Sequence, residues 1–392
     1  MGLLSTIEFQ MSLLLFVALA GYLLAARINQ SAVIGEILVG LLIGPSLLGL
    51  ITYTDFVASV AHLGAIILLF VVGLEFKLKD IFNFKYSVIA LVGVIVPWIG
   101  GYFVAKFFGY GFGAAIFTGT ALTATSIAIT ANVLKEMGKL QTDAAKAIIG
   151  AAVIDDVLSL LALSVSEQLV SGTFSVMSTS LTVLKAVGFL VIGSYIGYKF
   201  LSRLVERVDK SNIAKKFPEF VFIFAMMIAF FYAMAAELIH LSAIVGAFIA
   251  GMALEGAIVK HGKSYKEGAE YLHIIFASIF FVSLGILADV RALSPNVIWF
   301  LIVLTIVAVL TKVIGCYIPA RMQGMSHKDS AIVGFGMSPR GEVAMIVALI
   351  GLNAGLIGQE IYVTLVLMSL LTTIITPIVL RNWFYNKSDS KA

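Results

Sequence analysis

Charge is scarce in this chain. Only 12% of its 392 residues are Asp, Glu, Lys or Arg, where soluble domains carry about 25%. So few charges do not make the surface of a water-soluble protein of 42.0 kDa. Cysteine is nearly absent: the single Cys316 excludes an intrachain disulfide, and its apolar neighbours make it a small buried residue. The five histidines, His62, His240, His261, His273 and His327, all fall near loops without ligand spacing, which argues against a metal centre. What the chain has is apolar surface, with 60% hydrophobic residues and a mean hydropathy of +1.06. At roughly 20 apolar residues per crossing helix, it is a membrane protein with room for about a dozen spans and no sizeable aqueous domain. The net charge of +4 would suit nucleic acid only if basic residues clustered on a soluble face, and they do not.

The first apolar run, Ile7 to Ala26, lacks the basic stretch that opens a signal peptide; its positive charge, Arg27, follows it instead. It reads as a crossing helix with its N-terminus outside. Further runs lie at 32–50, 58–74, 86–107, 113–134, 146–168, 180–202, 218–238, 242–258, 271–288, 296–318, 329–353 and 360–380, which predicts an all-α polytopic protein of about thirteen transmembrane helices. With the N-terminus out and the C-terminus in, 21 of the 26 basic residues face the cytoplasm, a bias that a miscounted span would scramble. Lys106, Lys185 and Arg291 lie near the outer side, and Lys312 and Arg340 lie inside spans. No organelle-targeting segment is visible, so the cell membrane is the expected location.

The longest basic loop, Lys199 to Lys216, follows the seventh helix and leaves six helices on either side. Ser31-Ala32-Val33-Ile34-Gly35 with Gly40 recurs 211 residues later as Ser242-Ala243-Ile244-Val245-Gly246 with Gly251, and Phe70-Val71 as Phe281-Val282. Six helices and one linking helix start the second copy on the opposite side of the membrane, so two inverted repeats are expected. The alternative is chance likeness of glycine-bearing apolar helices. Inverted repeats are the plan of many secondary transporters, with the substrate site near the midplane where the repeats meet.

An ionisable side chain in mid-bilayer costs about 2.5–3.5 kcal/mol on insertion scales, so each needs a reason. Asp155 and Asp156 lie in the middle of the sixth span, Lys312 in the eleventh, and Arg340 and Glu342 in the twelfth. Adjacent carboxylates in an apolar span do not both ionise without a cation nearby. Either both are paired and hold helices together, or they form a cation and proton site. Lys312 is too deep for comfortable snorkelling; if the sixth and eleventh helices are neighbours, it neutralises Asp155 and leaves Asp156 to exchange a proton for a metal ion. Thr120, Thr123, Thr125, Ser126 and Thr130 form a polar run in the fifth span, and Met337-Ser338-Pro339-Arg340-Gly341-Glu342 puts a helix breaker in the twelfth. Two discontinuous helices crossing at the midplane would oppose like dipole ends, which Arg340 and Glu342 would offset; a proline kink with its own ion pair is the other reading. Glu36, in the short second span, lines an ion funnel or is a packed, protonated carboxyl. Glu75 reads as a cytoplasmic surface charge.

Over essentially its whole length the chain resembles the Nap-type and Nha-type sodium/proton antiporters of the Kef-related monovalent cation/proton antiporter superfamily. The resemblance is carried by Thr123-Ala124-Thr125-Ser126, by Gly150-Ala151-Ala152-Val153-Ile154-Asp155-Asp156, by Lys312 and by Ser338-Pro339-Arg340-Gly341-Glu342. It implies a transporter rather than an enzyme, without a cofactor, working as a homodimer in the lipid bilayer. Residues 1–75 and 218–288 would form the dimerisation domain, 86–168 and 296–381 a core domain that moves like an elevator, and 180–216 the linker. The family role of cation ligand falls on Asp156 and that of lysine partner on Asp155, with Thr125 and Ser126 beside the ion in the unwound crossing. Two aspartates with the lysine imply electrogenic exchange of Na+ or Li+, two protons entering for each ion expelled.

Potassium remains an alternative cargo, since Kef-type systems share this membrane domain; they append a soluble nucleotide-binding domain, and this chain stops at Ala392, soon after the last span. An intramembrane aspartyl protease would need aspartates converging from separate helices, which the adjacent Asp155 and Asp156 do not provide. A cation channel would need no titrating carboxylate as its sole deep site.

Overall fold

The computed structural model describes residues 6–28, 30–77, 84–172, 176–217, 219–257, 265–287, 291 and 295–385. The described elements are helical: α1 (Ile7–Arg27), α2 (Ala32–Ile43), α3 (Asp55–Gly73), α4 (Phe84–Phe107), α5 (Phe112–Thr123), α6 (Ile127–Glu136), α7 (Asp143–Ser171), α8 (Val176–Gly188, continuing through π-helical turns to Asp209), α9 (Phe220–Glu237), α10 (Ala243–Leu254), α11 (Tyr265–Leu287), α12 (Pro295–Met322), α13 (His327–Gly336), α14 (Glu342–Asn353) and α15 (Gln359–Val379). A short helix, Asn212–Lys216, sits between α8 and α9. Hydroxyl residues start several of them, since each supplies an acceptor to a backbone N–H the helix leaves unpaired. Thr6, Thr54, Thr142 and Ser326 cap α1, α3, α7 and α13 in this way.

Ten helical stretches among the described residues are long and apolar enough to cross a membrane, and Ala32–Ile43, Ala243–Leu254 and Val343–Leu352 are shorter apolar helices. The fifth and twelfth apolar runs each divide into two helices, because hydroxyl residues and Pro339 offer the backbone partners and angles incompatible with a continuous helix. The tenth run starts earlier than its hydropathy suggests, at Tyr265, so His273 lies inside α11 rather than near a loop. His261 lies outside the described residues.

The order long, short, long, long, divided, long occurs twice, in α1–α7 and in α9–α15, with α8 between. Ser31 and Ser242 precede the two short helices at corresponding places. The halves are interwoven. A Cβ on Gly40 of α2 would run into the carbonyl of Val282 on α11, and one on Gly251 of α10 into the carbonyl of Phe70 on α3. Each short helix thus packs backbone to backbone against the third helix of the other half, a separation only glycine permits.

Packing sorts the helices into two groups. Helices α1–α3 and α9–α11 pack on one another; α4, α5, α7 and α12–α15 form the second group, with α6 against α7. The groups meet where α6 packs on α3 and where α15 packs on α2 and α11.

Candidate ion site at the crossing of two broken helices

The breaks in the two divided helices cross. Ala124 and Ser126 are extended, and the Ser126 N–H donates to the carbonyl of Pro339 at 2.9 Å. The Thr125 hydroxyl donates to the Met337 carbonyl at 3.1 Å and the Thr130 hydroxyl to the Gly336 carbonyl at 2.6 Å. Backbone groups that each helix releases at its break are therefore partnered by the other, as an interruption deep in an apolar interior requires.

Where α5 and α13 end, carbonyls concentrate partial negative charge, and a buried cation meets each end. The Lys312 ammonium donates to the Thr123 carbonyl at 2.7 Å. The Arg340 guanidinium donates to the carbonyls of Ser338, Met337 at 3.4 Å and, on α12, Ala308 at 3.2 Å. Neither side chain has any exposed surface. Thr372 and Thr373 of α15 hold Arg340 by its backbone: the Thr372 hydroxyl accepts from its N–H at 3.1 Å and the Thr373 hydroxyl donates to its carbonyl at 2.9 Å. Glu342 begins α14, a place where an acidic residue suits the helix dipole; its side chain lies outside the described residues.

Lys312 makes a second bond, at 2.7 Å, to Oδ1 of Asp155, and both partners are fully buried. The sixth and eleventh apolar runs, now α7 and α12, are thereby joined through the pair, and Lys312 does not reach for the membrane surface. Adjacent helix positions are about 100° apart, so Asp156 points elsewhere on α7, and it is partly exposed. One carboxylate is thus fully buried against a lysine while its neighbour is only partly buried. Thr125 is buried and Ser126 fully so, both within the break that crosses beneath α7. Glu36 is not at this crossing: it is buried on α2, in the other helix group.

Sequence reasoning missed Thr372 and Thr373, and with them the role of α15 in fixing Arg340. A signal was present: Ser369, Thr372, Thr373 and Thr376 put hydroxyls at helical spacing inside the last apolar run, all buried, just as the fifth run carries its own cluster. It also missed Trp98, whose indole N–H donates to Thr120 at 3.2 Å, with Thr120 in turn 2.6 Å from the Ser166 hydroxyl.

Comparison with known proteins bears on this arrangement as a whole. The model of the family described as "Sodium/hydrogen exchanger, transmembrane" matches residues 13–384. The chain is 36% identical to the Na(+)/H(+)-K(+) antiporter GerN of Bacillus cereus over 97% of either protein. It is 34% identical to a Na(+)/H(+) antiporter of Enterococcus hirae, covering 94% of this chain and 96% of the relative. In three dimensions it is similar to the sodium proton antiporter MjNhaP1 from Methanocaldococcus jannaschii, with a TM-score of 0.74 and 15% identity across 98% of this chain and 96% of that one, a likeness of fold. The two-repeat helical architecture is thus that of a membrane antiporter fold, and the chain is a multi-pass integral membrane transporter rather than an enzyme. It belongs to the sodium/hydrogen exchanger family.

Proposed function

We propose that this protein exchanges Na+ or Li+ for protons electrogenically, with Asp156 as the cation and proton site. The observation that carries the reading is the division of labour on α7: Asp155 is buried against Lys312 at 2.7 Å, while its neighbour Asp156 is partly exposed. A cation at Asp156 replaces a proton there. Its charge also weakens the Asp155–Lys312 attraction, so the pair takes part in carrying a second proton. Thr125 and Ser126, in the extended strands of the crossing, supply oxygen atoms near the ion, and Arg340 with Lys312 neutralises the carbonyl ends of the broken helices. These are family-like roles placed on this chain's own residues.

In this reading α4–α7 and α12–α15 are the moving core and α1–α3 with α9–α11 the fixed dimerisation domain of a homodimer, joined by α8. The sorting of helices into two packing groups supports it. The chain crosses thirteen times, N-terminus outside, as the distribution of basic residues favours. Potassium is a second reading, favoured by the name of the Bacillus cereus relative, a Na(+)/H(+)-K(+) antiporter.

Proteoliposomes containing an internal pH dye test the proposal when Na+, Li+ or K+ is added outside. Proton movement with Na+ or Li+, lost in Asp156→Asn, is the expected result. A response to K+ alone moves the cargo to potassium, and near-normal exchange in Asp156→Asn removes the site.

A further inference from the structure

The two helix groups are bridged at one end by side chains that the ion site does not use. On α6, Glu136 accepts a hydrogen bond at 2.6 Å from Ser31, which precedes α2, and another at 3.1 Å from Asn132, one turn back. Lys135 donates to both carboxylate oxygens of Glu270 on α11, at 2.7 Å each. The His273 ring, one turn along from Glu270, lies 3.2 Å from the Asn132 amide oxygen. Gln141, beyond α6, donates at 2.6 Å to the carbonyl of Glu75, beyond α3. Apart from the Asn132–Glu136 bond, which lies within α6, these contacts run from the proposed core to the proposed dimerisation domain, and all lie at the end of the bundle where basic residues place the cytoplasm.

Along α7 every residue from Ala147 to Val153 is buried, whereas Leu160 to Val165 are each partly exposed and Glu167 is exposed. The helix that carries Asp156 is thus enclosed by the protein on its cytoplasmic half and less enclosed on its outer half.

We infer that Ser31, Asn132, Lys135, Glu136, Glu270 and His273 form a polar clasp that shuts the cytoplasmic end, so that the carrier rests with its ion site facing outward. The inference deepens the exchange mechanism proposed above and rests on its two-domain reading. Polar closure suits a gate that must open: when it parts, each side chain regains water, whereas a sealed apolar contact would expose surface at every cycle. Breaking the clasp shifts the carrier toward its inward-facing form without touching the ion ligands. Glu36, one turn into α2 from Ser31 and only 3% exposed, is sheltered by the clasp and becomes accessible when it opens.

Two measurements on the full-length protein in liposomes separate the clasp from the mechanism beneath it. In the first, Lys135→Cys with Glu270→Cys is bridged by a bifunctional thiosulfonate; the native Cys316 is fully buried and does not compete. Sodium-driven proton flux should fall more than tenfold and return on reduction. Full flux in the bridged protein would mean that this interface never parts, which overturns both the clasp and the moving-core reading. In the second, a cysteine replacing Glu36 is labelled from the cytoplasmic side. Lys135→Glu should speed its labelling roughly five- to thirtyfold, the population change that one or two lost contacts produce, with Glu270→Gln acting in the same direction. Lys135→Glu combined with Glu270→Lys should return labelling toward its starting rate. Arrest by the bridge together with unchanged labelling in both charge variants would refute the clasp and leave the moving core standing.

Discussion

Lys312→Ala gives the sharpest test of how the buried charges are held. The substitution strands the Asp155 carboxylate and removes the donor to the Thr123 carbonyl at the end of α5. Taking one partner from a buried ion pair costs about 3–5 kcal/mol, and an orphaned carbonyl adds about 1–3 kcal/mol where no other donor reaches it. Protonation limits the first figure, since neutralising an ordinary carboxyl at pH 7 costs about 4 kcal/mol. A chain of this length unfolds with an entropy of roughly 0.8 kcal/mol per kelvin, so a loss of about 4 kcal/mol lowers the melting temperature by about 5 °C. Thermal unfolding of the purified protein in detergent should show that drop at pH 8. Lys312→Ala combined with Asp155→Asn should recover most of the stability at pH 8. An unchanged melting temperature in Lys312→Ala would refute the reasoning, as would a deficit not relieved by Asp155→Asn.

Asp156→Asn should abolish cation-driven proton flux with a melting temperature within about 1 °C of the parent, because partly exposed substitutions shift stability by about 0.5 kcal/mol; a large thermal loss would make Asp156 a structural residue. Arg340→Gln leaves several buried carbonyls with fewer donors and should destabilise by about 2–4 kcal/mol, chiefly through the α12–α13 contact; native-like melting would show that those carbonyls find other partners. Gly40→Val and Gly251→Val each force a side chain into the opposing backbone, at more than the 1–3 kcal/mol usual for overpacking, and folded yield after membrane extraction should fall for both. Thr130→Val removes one hydrogen bond across the crossing, and its expected loss of about 1 kcal/mol is measurable in the same melting assay.

Much of this fold was legible because lipid imposes simple rules. Apolar length marked the helices and lysine placement suggested their direction, while the repeat of Ser31 to Gly40 at Ser242 to Gly251 marked where the two short helices start; they end at Ile43 and Leu254, short of the runs at 32–50 and 242–258. Asp155, Asp156, Lys312 and Arg340 stood out since a buried charge in an apolar run demands explanation. The hydroxyl run of Thr123 to Ser126 and the breaker Pro339 marked where the two helices divide, but hydropathy did not disclose which backbone groups partner across the crossing, such as the Ser126 N–H with the Pro339 carbonyl. The grip of Thr372 and Thr373 on Arg340 was hidden for the same reason: a hydroxyl in a helix satisfies itself locally unless a distant segment arrives. The contacts of Lys135 with Glu270 and Ser31 with Glu136 join residues that looked like ordinary ends of spans.

The interweaving of the halves bears on how the protein is made. A helix of twelve residues is about 18 Å long, well short of a hydrocarbon layer of about 30 Å, so α2 is a poor candidate for stable insertion alone. The backbone it needs on α11 is synthesised about 240 residues later, a delay of roughly 12–50 s at ordinary translation rates. Until then α2 must wait at the translocation machinery or in the interface beside α1, and the first half of the chain emerges with a notch cut for a piece not yet made. Expressed separately, neither half should assemble by itself; supplied together, the two should complement one another, each furnishing the other's missing third helix.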